Sequence, residues 1–410
     1  MPKFEHFKLT LKLKAQSPMI HFQGLQSGAT LRASEVKPKL DRFLINKLEA
    51  EKERSKDSLQ KDEIYKKFFL SNVGGKDSYA LNYRMQIYCE EAPKCFEITY
   101  PIYFANSSKK SADERKYGVL SNPTVVIHCY VKELQDLLSK HLEEFFLVTN
   151  FGTMSSKGFG SFVPEAYILD SSEVADYLKH SCGTDICLRM PATKGKDSLD
   201  YSKTFENIRL FYRLMKSGIN ETNNRDEGRG YARSFLFLYM HDLGISNEKA
   251  WMKNRGISPI VSTKGKEVLS PAGQPHKYVR AFLGTANAFR YKTAPSGGGN
   301  ISISINSDKN NSKKKELARV PSPILFKIID DMVFISAFPV SEKVYGKEFI
   351  FSGKKGGYNE GRISTPESSL FDDGKFDMKD FLQKYKEYYN KIVKDKVLDC
   401  LSNAPEVKEL

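Results

Sequence analysis

Residues Phe151–Phe162 read Phe-Gly-Thr-Met-Ser-Ser-Lys-Gly-Phe-Gly-Ser-Phe, and the order of elements around them restricts the fold more than any other stretch. Gly152, Gly158 and Gly160 give the backbone access to positive φ and to close approaches. Apolar spacing predicts a helix over Lys132–Val148 just before the loop, with Leu134, Leu137, Leu138, Leu142 and Phe145 on one face, and a strand over Phe162–Leu169 just after it. Helix–loop–strand is the reverse of the Walker and dinucleotide-binding order, and the loop does not end in Lys-Ser or Lys-Thr, so both nucleotide readings are excluded. Two readings stay open. The loop cradles a phosphate, with Ser155, Ser156 and Lys157 at its tip, or it is a tight connection that needs glycine.

Upstream, Phe7, Leu9, Leu11 and Leu13 alternate with Lys8, Lys12 and Lys14, the period of a half-buried strand. Ser17-Pro18 ends it. A helix is predicted with Ser34 as N-cap, Pro38 in its first turn and Leu40, Phe43, Leu44 and Leu48 on one face. Glu49–Lys67 is a mixed-charge stretch that reads as a solvated helix or an insertion. Tyr79–Glu90 and Thr124–Val131 read as strands, Glu97–Phe104 as a further strand or one arm of a hairpin, and Asn106–Gly118 as a polar loop. Residues 7–169 thus run strand, helix, strand, strand, helix, strand, with insertions, the βαββαβ order of the ferredoxin-like fold that RNA-recognition motifs share. The strands lack the aromatic patterns with which those motifs stack bases, so contacts to nucleic acid are expected from loops and helix faces.

In the second half, Tyr201–Ser217 reads as a helix, and the aromatic stripe in Tyr231–Leu243 as helix core. Ile324–Pro339 is strand-rich, Asp377–Leu401 is an amphipathic helix, and Ser402–Leu410 is expected to be disordered. Lys313-Lys314-Lys315 is a solvated triplet or a phosphate contact.

A chain of 410 residues suits two domains. Lysine and arginine number 64 against 50 acidic residues, a net charge of +14, which points to a polyanionic partner and first to nucleic acid. No apolar run approaches a membrane span and Met1–Thr10 carries no signal-peptide pattern, so a cytoplasmic location without membrane contact is expected. The six cysteines form no CxxC pair, which favours reduced thiols over a zinc site.

Several segments together resemble the RAMP superfamily of CRISPR-associated proteins. The first strand runs into Ser17-Pro18-Met19-Ile20-His21-Phe22. Leu31-Arg32-Ala33-Ser34-Glu35-Val36-Lys37-Pro38-Lys39-Leu40-Asp41-Arg42-Phe43-Leu44 is similar to the family's motif at the first helix, with Pro38 where many members have glycine. The loop Gly152–Gly160 occupies the expected slot. Tyr278–Gly284 and Arg319–Lys327 resemble second-half motifs of type III-B Cmr subunits, most of all the large, single-copy subunit.

The resemblance implies an α+β chain of two ferredoxin-like (RRM-like) domains with helical insertions, 1–170 and 171–410. It implies a non-catalytic, RNA-binding subunit that caps a type III effector ribonucleoprotein, with crRNA, target RNA and neighbouring RAMP subunits as partners. In that arrangement the loop lies against the start of the first helix. Arg32, Lys37, Lys39 and Arg42 would then flank an RNA backbone together with Gly152, Ser155, Ser156, Lys157, Gly158 and Gly160. On this reading the amides of Gly158 and Gly160 approach phosphate, and Gly158→Val lowers guide binding more than stability. RAMP subunits that cut target RNA carry a carboxylate after the first strand, but Met19–Thr30 contains no Asp or Glu, and Glu35, the next carboxylate, reads as solvated. No metal and no cofactor is expected. The alternative is a metal-free crRNA-processing endoribonuclease with His21 as general acid or base.

Overall fold

Alternation at the N-terminus produces a strand with one wet and one dry side. β1 (Lys8–Ala15) buries Leu9, Leu11 and Leu13 and exposes Lys8, Thr10, Lys12 and Lys14. Phe7, expected on the buried side, lies just outside the strand and is 45% exposed. The computed structural model describes residues 2–20, 30–53, 55–70, 80–98, 117–166, 170–196, 198–221, 230–249, 251, 275–285, 288–291, 301–307, 320–353 and 361–410. His21, residues 106–116 and Lys313–Lys315 lie outside them.

The chain divides into two compact units. Met1–Thr99, Ala112–Ser181 and Phe326–Phe334 make the first, and Tyr100–Ser111, Cys182–Leu325 and Ile335–Leu410 the second. In the first, β1 is followed by α1 (Ala33–Lys52), α2 (Lys56–Lys61), α3 (Glu63–Lys66) and β2 (Arg84–Tyr88). An antiparallel pair, β3 (Lys94–Glu97) and β4 (Tyr117–Leu120), precedes β5 (Thr124–His128), α4 (Lys132–Val148), β6 (Phe162–Pro164) and α5 (Ser171–Cys182). The main sheet has the order β2-β5-β1-β6, with every neighbouring pair antiparallel.

Register sets Leu9 and Met85 opposite Ile127, so one face of that sheet is apolar. Val36, Leu40, Leu44 and Leu48 of α1 and Leu134, Leu138, Leu142 and Phe145 of α4 close over it in one core. Each such side chain contributes roughly 1.5–3 kcal/mol by leaving water. The mixed-charge stretch is the end of α1 with α2 and α3, anchored by buried Leu59.

Three local expectations change. Arg32, not Ser34, is the N-cap of α1, in an extended conformation with no side-chain cap bond. Pro38 is in the second turn, where it forgoes a bond to the Ser34 carbonyl. β6 stops at Pro164 because it pairs only with Leu13–Ala15 at the end of β1; Tyr167–Leu169 lie outside the described residues.

The second unit contains β7 (Cys187–Pro191), α6 (Tyr201–Lys216), β8 (Ile219–Asn220), β9 (Tyr231–Ala232), α7 (Phe235–Asp242), β10 (Ser246–Asn247) and β11 (His276–Lys277). Next come β12 (Ala288–Tyr291), β13 (Ile301–Ser307), and the strands β14 (Ile324–Ile329) and β15 (Met332–Ala337), whose middle belongs to the first unit. β16 (Glu348–Gly353), β17 (Gly361–Ser364), α8 (Met378–Lys394) and β18 (Lys408–Glu409) complete it. β12-β13-β16-β17 form an antiparallel sheet. Among the described residues, α6 and α7 precede that sheet and α8 follows it, so helices do not alternate with its strands. The whole chain is α+β.

The aromatic stripe of α7 is core, as expected: Phe235, Phe237 and Tyr239 are buried. Phe211 of α6 meets Tyr385 and Tyr389 of α8 edge-on at 4.8 and 4.9 Å. The tail is ordered, against expectation. Val407 is buried, and Asn390 brackets its backbone by donating to its carbonyl (2.7 Å) and accepting from its N–H (2.8 Å). β18 then pairs with β7. None of the described helices is long and apolar enough to cross a membrane.

Candidate nucleic-acid interface

The glycine loop is built from backbone that only certain residues tolerate. Gly152, Gly158 and Gly160 have φ of +79°, +92° and +67°. A Cβ at Gly160 would sit 1.9 Å from the Phe151 carbonyl oxygen, and one at Gly152 would sit 2.5 Å from that of Ile20. Glycine is therefore required by the turn itself.

The loop's amides are engaged inside the protein. Gly152 N–H donates to Glu35 Oε1 at 2.6 Å, Thr153 N–H to the Ile20 carbonyl at 2.7 Å, and Gly160 N–H to the Pro18 carbonyl at 2.9 Å. Gly158 N–H donates to Ser155 at 3.3 Å, while its carbonyl accepts from Ser17 Oγ at 2.6 Å. Amide-to-phosphate contact at Gly158 or Gly160 would need these bonds to open. Asn150 Nδ2 bonds the carbonyls of Ser155 and Phe326 (2.7 and 2.8 Å), and the Phe326 N–H bonds Ser156 (3.2 Å), so β14 holds the loop from its other side.

The structure brings the start of α1 and the loop together and sorts their charges. Lys39 Nζ donates to Glu35 Oε1 and the Asn150 carbonyl, both at 3.1 Å, and lies 4.8 Å from the Phe151 ring centre. Lys37 Nζ is held by Asp41 (2.8 Å), the Leu81 carbonyl (3.0 Å) and the Tyr83 ring (4.1 Å). Lys157 is buried beside Phe326, its Nζ 5.6 Å from the ring centre, rather than carried at the loop tip. Ser155 and Ser156 are half-buried. Arg32 and Arg42 are exposed, and among the described residues no ion pair engages either. Ten residues apart, they span about 15 Å of helix.

Glu35, Asn150, Ser17 and Lys327 are the residues that sequence reasoning missed. Glu35, read as solvated, instead ties loop to helix. Lys327 of β14 is fully buried and donates to the carbonyls of Phe146 (2.8 Å), Thr149 (2.9 Å) and Phe162 (3.1 Å). Burial pushes its ammonium well below the usual lysine range, while three carbonyls and the C-terminus of α4 favour the charged form. Its sequence signals were a lysine inside an apolar strand pattern and its place at the end of the Arg319–Lys327 motif.

Family comparison covers nearly the whole chain. The model for the Cmr1 N-terminal domain matches residues 6–219, and that for the Cmr1 C-terminal domain matches residues 231–407. The chain belongs to the Cmr1 family. The resemblance to RAMP proteins of the Cmr type has its answer in that assignment. No curated protein matches the chain. Among solved structures it is similar to a chain in a cryo-EM structure of the Type III-B Cmr-beta bound to cognate target RNA. That match has 12% identity and a TM-score of 0.25, and covers 39% of this chain and 58% of the other. It is also similar to Cmr1 from Pyrococcus furiosus in its apo form, with 10% identity, a TM-score of 0.37 and 98% of each chain covered. Both likenesses are distant.

In this Cmr1-family chain the second-half motif Tyr278–Gly284 is interior. Its residues Tyr278–Leu283 are buried, and Arg280 forms an ion pair through Nε with Glu248 Oε1, both side chains at 1% exposure or less. Glu248 Oε2 also accepts the Val279 N–H at 3.1 Å. Lys216 Nζ bonds the carbonyls of Leu283 and Gly284, closing the turn.

A further set of charges lines a cleft among α1, α4 and α5: Lys47, Glu51, Lys140, His141, Glu144 and His180. Lys47 pairs with Glu144 and Lys140 with Glu51, each at 2.5 Å, and His141 Nδ1 lies 3.2 Å from Glu144. Burial pushes the Glu144 carboxyl up, but hydrogen bonds from His141 and Lys47, the Lys47 charge and the Ser181 hydroxyl outweigh it and hold the group below the usual carboxylate value. These pairs brace α1 against α4. Among the described residues no cluster of three or more His, Cys, Asp or Glu is arranged to hold a metal.

Proposed function

We propose that this Cmr1-family protein is a non-catalytic, RNA-binding subunit of a type III-B effector ribonucleoprotein. It would hold crRNA and target RNA by their backbones, beside neighbouring RAMP subunits and capping the assembly. The observation that carries the reading is the match of Cmr1 N- and C-terminal domain models along the chain. The contact surface proposed is the start of α1 with the loop, where Arg32 and Arg42 present guanidinium groups able to grip phosphate bidentately. Ser155 and Ser156 add hydroxyls, while Glu35, Lys37, Lys39, Lys157 and the three glycines hold that surface in shape.

The order β2-β5-β1-β6, with α1 and α4 as the two crossing helices, supports a ferredoxin-like first domain ending near residue 170. For the second half, a ferredoxin-like domain rests on the resemblance alone. A non-catalytic role is supported by the absence of Asp and Glu from Met19–Thr30 and by the engagement of Glu35 with Gly152 and Lys39.

Titrating guide-loaded complex or free RNA with the full chain tests the reading. Arg32→Ala with Arg42→Ala should weaken binding and flatten the slope of log affinity against log salt by up to about 0.9 for each phosphate no longer neutralised, with melting unchanged. Unchanged slope in the double variant, or magnesium-dependent cleavage by the clean protein, defeats it.

A further inference from the structure

On the face of the first unit's sheet opposite α1 and α4, the side chains of β1 and β2 are exposed, whereas Thr124, Val126 and Val163 are buried between or beside them. Residues facing one another on antiparallel neighbours share a face. Register places Arg84, His128 and Lys8 in one row, Gln86, Val126 and Thr10 in the next, and Tyr88, Thr124 and Lys12 in a third, with Lys14 beside Val163. Arg84, Lys8, Lys12 and Lys14 are all exposed. At the Lys8 end, Phe7 and Tyr130, 45% and 77% exposed, stack with centroids 5.2 Å and planes 27° apart. Phe7 also lies 6.3 Å from the His128 ring.

The charge on this face has little opposition. Among the described residues, the carboxylates that reach its cations are Glu90, 3.9 Å from Lys12, and Asp330, 4.0 Å from Lys14, and all four side chains are more than half exposed. Pairs so long and so wet contribute little and yield readily to a phosphate. A row of cations running to a pair of solvent-facing rings is the combination that takes single strands: phosphates follow the charge, and an unstacked base lies on the ring. A duplex has no free base faces to offer those rings. The aromatics come from the ends of the two central strands, β1 and β5, so the sheet presents stacking surface although no aromatic pattern runs within either strand.

We propose that this sheet face docks a segment of single-stranded RNA, with phosphates along Lys8, Lys12, Lys14 and Arg84 and a base on the Phe7–Tyr130 pair. It is a surface separate from Arg32 and Arg42, and it rests on the proposed function only for the choice of RNA.

The test uses the full chain and an unstructured oligoribonucleotide of about twenty nucleotides, titrated at several salt concentrations. Lys8→Ala, Lys12→Ala and Lys14→Ala combined should lower affinity and reduce the salt slope by about 0.7 for each phosphate released, or about 2 in all. Tyr130→Ala should weaken binding about five- to hundred-fold, and Tyr130→Phe should restore it, because the ring and not the hydroxyl stacks. All of these side chains are exposed, so melting should not move. Normal RNA binding by the lysine triple variant and Tyr130→Ala overturns the proposal, as does RNA binding too weak to measure in the wild type. Normal RNA binding with lost assembly onto neighbouring subunits also overturns it and makes the face a protein interface. Running Arg32→Ala/Arg42→Ala alongside separates the two surfaces: loss there with no effect from the sheet variants sinks this inference and leaves the proposed function standing.

Discussion

Arg42 and Arg280 both belong to segments that resemble RAMP motifs, yet the two regions use their cations in opposite ways. On α1, Arg32 and Arg42 stand in solvent while Lys37 and Lys39 are turned inward onto carboxylates and carbonyls. In the second unit, Arg280 is sealed in the core against Glu248, and Lys216 closes the turn behind it. A buried charge acts as a clamp because leaving it unpaired is costly; an exposed one is available to a partner because water already satisfies it. A basic motif therefore says nothing about binding until the burial of each cation is known.

That contrast can be broken by substitution. The largest effect is expected at Arg280→Ala, which leaves Glu248 charged and buried: a loss of about 3–5 kcal/mol in denaturant unfolding. RNA affinity of the folded fraction should stay unchanged. An Arg280→Ala protein as stable as the wild type would mean that the pair is no clamp.

Lys327→Met comes next. It removes the donor shared by two carbonyls at the end of α4 and one in β6 and should cost about 1–3 kcal/mol, with hydrogen exchange rising in the last turn of α4 and in the glycine loop. Unaltered exchange in the loop would show that the loop does not depend on this lysine.

Glu144→Gln is the smallest, on the order of 1 kcal/mol near neutral pH. Because the folded protein holds this carboxyl below its usual value of 4.5, its contribution is present above that pH and is lost as acid protonates the folded form. The gap in Tm between wild type and Glu144→Gln should therefore close as pH falls from 4.5 through the lower value of the folded carboxyl. A gap that does not change with pH in the acid range would place its origin in packing and not in charge.

Periodicity alone determined much of the first unit. The alternation of β1, the apolar faces of α1 and α4, and the glycines of the loop were legible because each is a local demand of backbone geometry. The motif resemblance was legible too, and the family match agrees with it. Tertiary structure decided which charges are open. Lys157 and Lys327 are buried by segments 165 or more residues away in the chain, through Phe326 for one and Phe146 to Phe162 for the other. Glu35 became a latch only once Gly152 was folded onto it. Strand register, which no single strand encodes, set Arg84 and His128 beside Lys8, and Phe7 against Tyr130. Exposure and juxtaposition belong to pairs of distant segments, so a pattern read along one segment could name these side chains but not say what they face.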